Sequence, residues 1–361
     1  MKPFVPVKLP IDEKIDLLFF YNDLIEASTN IGKYQIMLKN SKINANILIN
    51  PIILQEAVQS TKIEGTQVTL DEVLESEVEK KKNTNDIKEV LNYYEALKFG
   101  EKNLSKIPIS TRLFKELHKI LLSNDVRVKS RSPGDYRTIQ NFIGPEGCTI
   151  KTASFVPPEP QFVNKYMSNL ERYINEPKDN LHPLIRIAIV HAQFETIHPF
   201  LDGNGRIGRI LIPLYLFEYN VIDSANFFIS ETLEKDKHKY YKLLNDTRIK
   251  ERWNQWIKFF LESVNQQAKK YIKMVEDINV LYEKDLALAM NIVSNNNIVN
   301  IVNIMYKHPI FTINKMAELT GIPYSTCRRY ISQLEEENII YSDEKLREKK
   351  YFYYNLLDLL R

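Results

Sequence analysis

The stretch HPFLDGNGRIGR, residues 198–209, gathers one histidine, one aspartate, one asparagine, three glycines and two arginines into twelve positions. The residue types suit a site for a polyanion. Gly203 and Gly205 let the backbone turn tightly and aim N–H groups at one point. A helix opening at GRIGRILIPLYLFEY would add free amides and a partial positive charge at its N-terminus. Arg206 and Arg209 lie three apart on one face and can clamp adjacent phosphates. Asp202 has the chemistry to hold a divalent cation that bridges phosphate oxygens. His198 stands just before the loop, able to take a proton from a nucleophile attacking a bound phosphate.

Two other chemistries are weighed and set aside. Gly203, Gly205 and Gly208 spell G-x-G-x-x-G, but a dinucleotide fingerprint needs a strand running into the first glycine and an acidic residue about 20 positions on. Here Pro199 intervenes, the preceding PLIRIAIVHAQFE has helix length, and Asp223 comes too soon. His191, Glu195 and His198 could suggest zinc, yet there is no H-E-x-x-H and Cys148 and Cys327 are remote, so a helix-surface or core role is expected for His191 and Glu195. His118, His182, His238 and His308 read as ordinary surface or turn residues.

A second stretch, STKIEG (60–65), puts Ser60 and Glu64 four apart on one helix face, with Gly65 suited to the helix end. Alone it reads as a solvated glutamate beside a helix-ending glycine.

The elements that must position these residues are mostly helical. Six of the ten glycines fall between 134 and 208, and long segments outside that window carry helix-like spacing. Helical patterns run through IDEKIDLLFFYNDLIEASTNIGKY, with Ile15, Leu18, Phe19, Tyr21 and Leu24 near one face. Others run through LQEAVQSTKIEG, through TNDIKEVLNYYEALKFG, with Thr84 or Asn85 as cap and Gly100 as terminator, and through TRLFKELHKILLS after Ser110. SPGDYRTIQNFIGPEGCTIKTASFVPPEP reads as a loop holding a short hairpin. Helices resume to about residue 290. The tail reads helix, turn at Gly321 and Pro323, helix, then a charged hairpin, with Thr312 and Ser325 as caps: the order of a winged helix-turn-helix. The predicted fold is mainly α. Its regions are an N-terminal helical region over 1–105, a core over 106–265, a helical linker over 266–290 and the winged helix over 291–361.

Composition narrows the classes. The 361 residues are 44% hydrophobic and 26% charged, enough for real cores, and the net charge of +3 gives no global field for nucleic acid or membrane. Two cysteines cannot frame a disulfide fold. Pro3, Pro6 and Pro10 break any signal-peptide core, no apolar run reaches membrane-spanning length, and Lys, Asn and Ile are frequent. The expectation is a soluble cytoplasmic protein of bacterial origin, with no membrane partner. Residues 307–361 carry nine basic and eight acidic residues, net +1. DNA binding through Arg328, Arg329 and a basic wing is therefore weighed evenly against protein docking or homodimerisation.

HPFLDGNGRIGR matches the Fic-domain motif H-x-F-x-[DE]-G-N-G-R-x-x-R at every specified position, and the chain resembles the Fic/DOC family over roughly residues 1–265. The resemblance implies a Fic-type helical core with a short β-hairpin flap, transferring AMP from ATP to a Ser, Thr or Tyr hydroxyl of a target protein, or of itself, as pyrophosphate leaves. His198 would be the general base, Phe200 would seat the loop, and Asp202 would bind Mg2+. Gly203, Asn204, Gly205, Arg206, Ile207, Gly208 and Arg209 would hold the phosphates, Arg209 towards the γ end. Asn141, Phe142, Ile143 and Gly144 would form the flap that docks a target segment as an added strand. Tyr240 and Tyr241 would lie near the nucleoside; seven residues beyond that pair, where some relatives carry asparagine, this chain has Arg248. STKIEG matches the family's inhibitory motif [ST]-x-x-x-E-[GN], which makes Ser60, Glu64 and Gly65 an intramolecular brake through a Glu64–Arg209 pair. Some such glutamates also serve removal of the modification. A DNA-binding regulator whose nucleotide site only senses a ligand stays open, as does transfer of uridine monophosphate or phosphocholine.

Overall fold

In a computed structural model the chain is described over residues 2–78, 83–124, 132–144, 147–176, 178–293, 295–343, 345 and 348–361. Fifteen α-helices and three short strands lie among them, in the order α1 (Tyr21–Lys39), α2 (Ala45–Ile63), α3 (Leu70–Ser76), α4 (Asn85–Asn103), α5 (Thr111–Leu121), α6 (Val163–Asn175), α7 (Pro183–Ile197), α8 (Asn204–Glu218), α9 (Ser230–Lys235), α10 (Lys237–Lys250), α11 (Trp253–Ile292), α12 (Asn297–Lys307), β1 (Ile310–Thr312), α13 (Ile313–Thr320), α14 (Tyr324–Glu336), β2 (Tyr341–Ser342), β3 (Lys350–Phe352) and α15 (Tyr354–Leu360). They form two compact units: Met1–Gly32 with Gln59–Gly65 and Asn92–Ala268, and Lys33–Val58 with Thr66–Leu91 and Lys269–Arg361.

The first unit is organised around α7. Its sequence, PLIRIAIVHAQFETI, is apolar nearly all the way round, and every residue from Leu184 to Ile197 is buried. Such a helix has no solvent face and must be surrounded. α6, α8 and α10 pack on it, and Trp256 of α11 donates its indole N–H to the Ala188 carbonyl at 2.8 Å. Pro183 begins the helix where a missing N–H costs nothing, and the His182 ring accepts the Leu184 N–H at 3.2 Å. His182 is thus a cap.

Local sequence signals meet mixed outcomes. Thr84 caps α4, Ser110 caps α5 and Thr312 caps α13, each accepting a first-turn N–H. Ser325 caps nothing, because Pro323 holds the N-cap position of α14. Gly100 is no terminator: α4 runs on to Asn103, and a Cβ there would press on Leu214 and Leu117. The apolar spacing at Ile15–Leu24 overstates α1, since 17–20 form a 3-10 turn with Leu18 exposed and the α-helix starts at Tyr21. Among the described residues the hairpin expected over 132–160 is one bridge, Ile143 with Phe155; Pro145 and Glu146 lie outside them.

The second unit holds the winged helix. β3 pairs antiparallel with both β1 and β2, giving the order β1-β3-β2. Gly321 ends α13 with φ +70° and releases the chain into α14. The wing residues Glu344, Leu346 and Arg347 lie outside the described residues. α3 joins this unit through Lys350 with Glu75, Arg361 with Asp71, and His308 3.5 Å from Glu77. The stretch 266–290 lies within the unbroken 40-residue helix α11.

Candidate functional site

The residues 198–209 form the turn from α7 into α8. His198 ends α7 in the left-handed region at φ 50°, its N–H still bonded to the Phe194 carbonyl. Phe200 is fully buried and stacks on His118, ring centroids 3.9 Å apart and 12° from parallel. Asn204 accepts the Phe200 N–H and donates to the Phe200 carbonyl, both at 2.9 Å, so one side chain brackets the turn. Gly203 follows at φ +78° and α8 begins. A side chain there would meet both an unfavourable backbone region and Leu121.

Two residues that the sequence did not single out complete the turn. His118 is buried rather than exposed. Its Nδ1 accepts the Gly134 N–H at 2.8 Å, which leaves the proton on Nε2 for the Asp202 carbonyl at 3.1 Å. Burial depresses its pKa to about 4, with Arg206 adding to the effect. Arg137 donates Nε to the His198 carbonyl at 2.9 Å and Nη2 to the Pro158 carbonyl at 2.6 Å. It supplies a cation where the last carbonyls of α7 lack partners.

The expected phosphate ligands divide in two. Gly205, Arg209 and His198 line a cavity of about 630 Å³ with Glu64, Glu195 and Arg248. Tyr240, Tyr241, Ile143, Gly144 and Phe155 form further wall. Arg206 and Ile207 are fully buried, and Arg206 Nη2 lies 3.6 Å from Asp202 Oδ1. Asn204 can offer a ligand only its backbone amide, since its side chain is committed to Phe200, whereas the Ile207 N–H is spent on the Gly203 carbonyl at 3.0 Å and its side chain lies in the core. The Asp202 carboxylate accepts the Gly203 N–H at 2.6 Å and is 30% exposed. Among the described residues no group of three His, Cys, Asp or Glu side chains could hold a metal. A single accessible carboxylate is compatible with Mg2+, which is commonly held by one carboxylate together with substrate phosphates.

Arg209 is 1% exposed, and an unpaired guanidinium there would cost several kcal/mol. Its partners come from STKIEG. Nε donates to Ser60 Oγ at 2.8 Å, and Nη2 to the Ser60 carbonyl at 2.9 Å and to Glu64 Oε1 at 2.6 Å. Burial works against its charge, but Glu64 together with Tyr240 and Tyr241 more than reverses this and the guanidinium stays charged. Glu64 sits just past α2, before Gly65 at φ +104°, and Lys237 Nζ donates to the Ile63 carbonyl at 2.5 Å. A Cβ at Gly205 would collide with Glu64 Oε1, so that glycine admits the contact.

His198 is a weak base in this setting: burial, Arg248 and Arg137 bring its pKa down to about 4. It is neutral, as a proton acceptor must be. Arg248 of α10 donates Nε to Thr196 Oγ1 of α7 at 3.0 Å and lies 3.9 Å over the Phe155 ring. The flap residue Asn141 donates to the Phe200 carbonyl at 3.1 Å, which ties the flap to the turn, while Phe142 is 41% exposed. The ring of His191 is spent on both sides: Nδ1–H on the Gly208 carbonyl and Nε2 on the Tyr240 hydroxyl, each at 2.9 Å.

Residues 108–216 match the Fic/DOC family and residues 21–102 its N-terminal domain. The chain carries a Fic domain. Residues 295–341 match the winged helix-turn-helix DNA-binding family. Over 233 residues the chain is 28% identical to protein adenylyltransferase Fic of Drosophila yakuba, spanning 62% of this chain and 43% of that one. The Drosophila melanogaster protein of the same name is 27% identical over the same lengths. The chain thus covers less than half of these relatives. A Fic family protein from Desulfovibrio desulfuricans shares the fold over 98% of both chains at TM-score 0.60 and 19% identity. Fic-1 from Caenorhabditis elegans does so over 72% of this chain and 73% of its own at TM-score 0.54 and 19% identity. Among the described residues no helix is long and apolar enough to cross a membrane.

Proposed function

We propose that the Fic domain transfers AMP from ATP to a Ser, Thr or Tyr hydroxyl of a target protein, and of itself, and that Glu64 holds it in check. The observation that carries the reading is Arg209, buried beneath the cavity and already bonded to Ser60 and Glu64. An arginine so engaged cannot clasp the far end of a triphosphate, and the α-phosphate then lacks the in-line pose that attack requires.

With Glu64 withdrawn, Arg209 meets the terminal phosphate and the amides opening α8 meet the chain of oxygens. The hydroxyl oxygen bonds to the α-phosphorus, its proton passes to His198, and the bond to the β-phosphate oxygen breaks as pyrophosphate departs. Mg2+ on Asp202 would neutralise charge on the phosphates when bound. The flap edge at Ile143 would align the target by strand addition. Glu64 itself lines the cavity, which supports a second role for it, positioning water for the reverse cleavage that releases AMP from a modified hydroxyl. Arg328 and Arg329 are exposed on α14 and would give the winged helix its contact with DNA or with a target.

The test is label transfer from α-³²P-ATP with magnesium, comparing the native chain, Glu64→Gly and Glu64→Gly/His198→Ala, with cell lysate added. Labelling confined to Glu64→Gly supports both chemistry and brake. Absence of labelling in all three, with ATP still bound, overturns the transfer and leaves a nucleotide sensor or another donor.

A further inference from the structure

The transfer motif leaves position 208 open, yet this chain places a glycine there. A Cβ at Gly208 would collide with Oε1 of Glu195 and come within 3.2 Å of the His191 ring. The glycine therefore makes room for a carboxylate. Glu195 lies one turn before His198 on α7, is 6% exposed and lines the cavity. Its Oε1 has no hydrogen-bond partner, and its Oε2 lies 3.8 Å from His198 Nδ1.

A buried carboxylate is costly unless something claims it. The groups facing it are His191, Tyr240, Tyr241, Arg209, Arg248, Glu64 and His198. The first two are bonded to each other, Arg209 spends Nε and Nη2 on Ser60 and Glu64 while its Nη1 makes no hydrogen bond, and Arg248 spends Nε on Thr196. His198 Nδ1 is the cation-forming atom within a short closure, of the kind that unliganded sites make when substrate binds.

We propose that Glu195 is a positioning residue for His198. Its carboxylate takes the Nδ1–H, which fixes the tautomer that leaves Nε2 bare. As the target hydroxyl oxygen bonds to the α-phosphorus and pyrophosphate leaves with its electron pair, the hydroxyl proton goes to Nε2. The carboxylate then balances the imidazolium. That balance is needed because burial, Arg248 and Arg137 outweigh Glu64 and the Glu195 backbone carbonyl, the groups that favour a positive charge at His198. The assignment rests on the adenylyl-transfer reading.

The experiment uses the Glu64→Gly chain as parent and adds Glu195→Gln or, separately, Gly208→Ala. Readouts are kcat and KM for ATP, the pH profile of kcat/KM, and affinity for a non-hydrolysable ATP analogue. Glu195→Gln is expected to lower kcat roughly ten- to hundredfold, the loss of one opposite charge within ~4–6 Å, with KM and analogue affinity held within about twofold. Burial raises the Glu195 pKa to about 7, and Glu64 contributes to that rise. The parent should therefore show an acid limb somewhat below that value, with activity lost as the carboxylate protonates. In Glu195→Gln that limb should vanish. Gly208→Ala keeps the carboxyl but displaces it, and should lower kcat in the same direction. Unchanged kcat in Glu195→Gln, or a loss carried by KM and analogue affinity, overturns the assignment in favour of a nucleotide contact. A parent that labels nothing sinks the transfer reading itself, and the positioning role with it.

Discussion

Glu64 and Glu195 approach the same cavity from the end of α2 and from the last turn of α7, and they are held in opposite ways. Glu64 has a 25% exposed side chain and a charged partner at 2.6 Å. Glu195 is buried, with one oxygen unpartnered and a histidine at 3.8 Å. The first carboxylate can leave, because water can receive it and a polyanion can replace it on Arg209. The second cannot leave for bulk water, because α7 is enclosed by its neighbours and the carboxylate sits between Gly208 and the cavity wall. A removable contact suits control and a trapped one suits positioning.

The comparison predicts graded effects on the removable side. Glu64→Gly removes a charge-assisted hydrogen bond of ~1.5–3 kcal/mol. Transfer in the labelling assay is therefore expected to rise by roughly ten- to hundredfold, since about 1.4 kcal/mol is a factor of ten. A rise below twofold would mean that Arg209 is not what limits the native chain. Ser60→Ala removes the Nε bond and leaves the Ser60 carbonyl and Glu64 in place. With ~0.5–1.5 kcal/mol at stake, release by roughly two- to tenfold is expected, always short of Glu64→Gly. If the two variants release equally, the serine is as important as the acid and the comparison fails.

A further effect concerns the trapped interior and is read as melting temperature against pH. His118 and His191 have folded pKa values of about 4 and about 3, below the ordinary 6.5, with burial the main cause in each. Both are neutral in the folded state and gain a proton on unfolding below about pH 6.5. Each therefore withdraws up to roughly 1.4 kcal/mol per pH unit on acidification from 6.5 towards its folded value. Glu195 opposes them: its raised pKa costs stability as pH rises from the ordinary carboxylate range towards 7. A chain that melts no lower at pH 5 than at pH 7 would contradict this account of the interior.

Much of the site could be read directly because its chemistry is compressed into neighbouring positions. The motif turn, the glycine at 203 and the Ser60–Glu64 face all follow from spacing within one or two helical turns. What could not be read depends on backbone carbonyls far along the chain. Arg137 serves the carbonyl of His198, 61 positions away, and His118 serves that of Asp202, 84 away. A carbonyl has no residue type to betray it, so its partner looks like any arginine or surface histidine. Glu195 was visible only as one of three residues spaced for zinc. Its carboxylate is explained by Gly208, seen first as part of a false dinucleotide fingerprint. Helix limits failed where packing outranked punctuation: Gly100 sits inside α4 because Leu214 approaches it, and Pro323 pre-empts Ser325.

The bracket that Asn204 places on both sides of Phe200 has a thermodynamic consequence. With the turn bonded to itself and stacked on His118, the amides opening α8 are set before any ligand arrives, and an incoming polyphosphate pays little entropy to order them. A site assembled in advance cannot be regulated by folding its own loop. Control has to act through competition for a group that the ligand needs, and Arg209 is where that competition takes place.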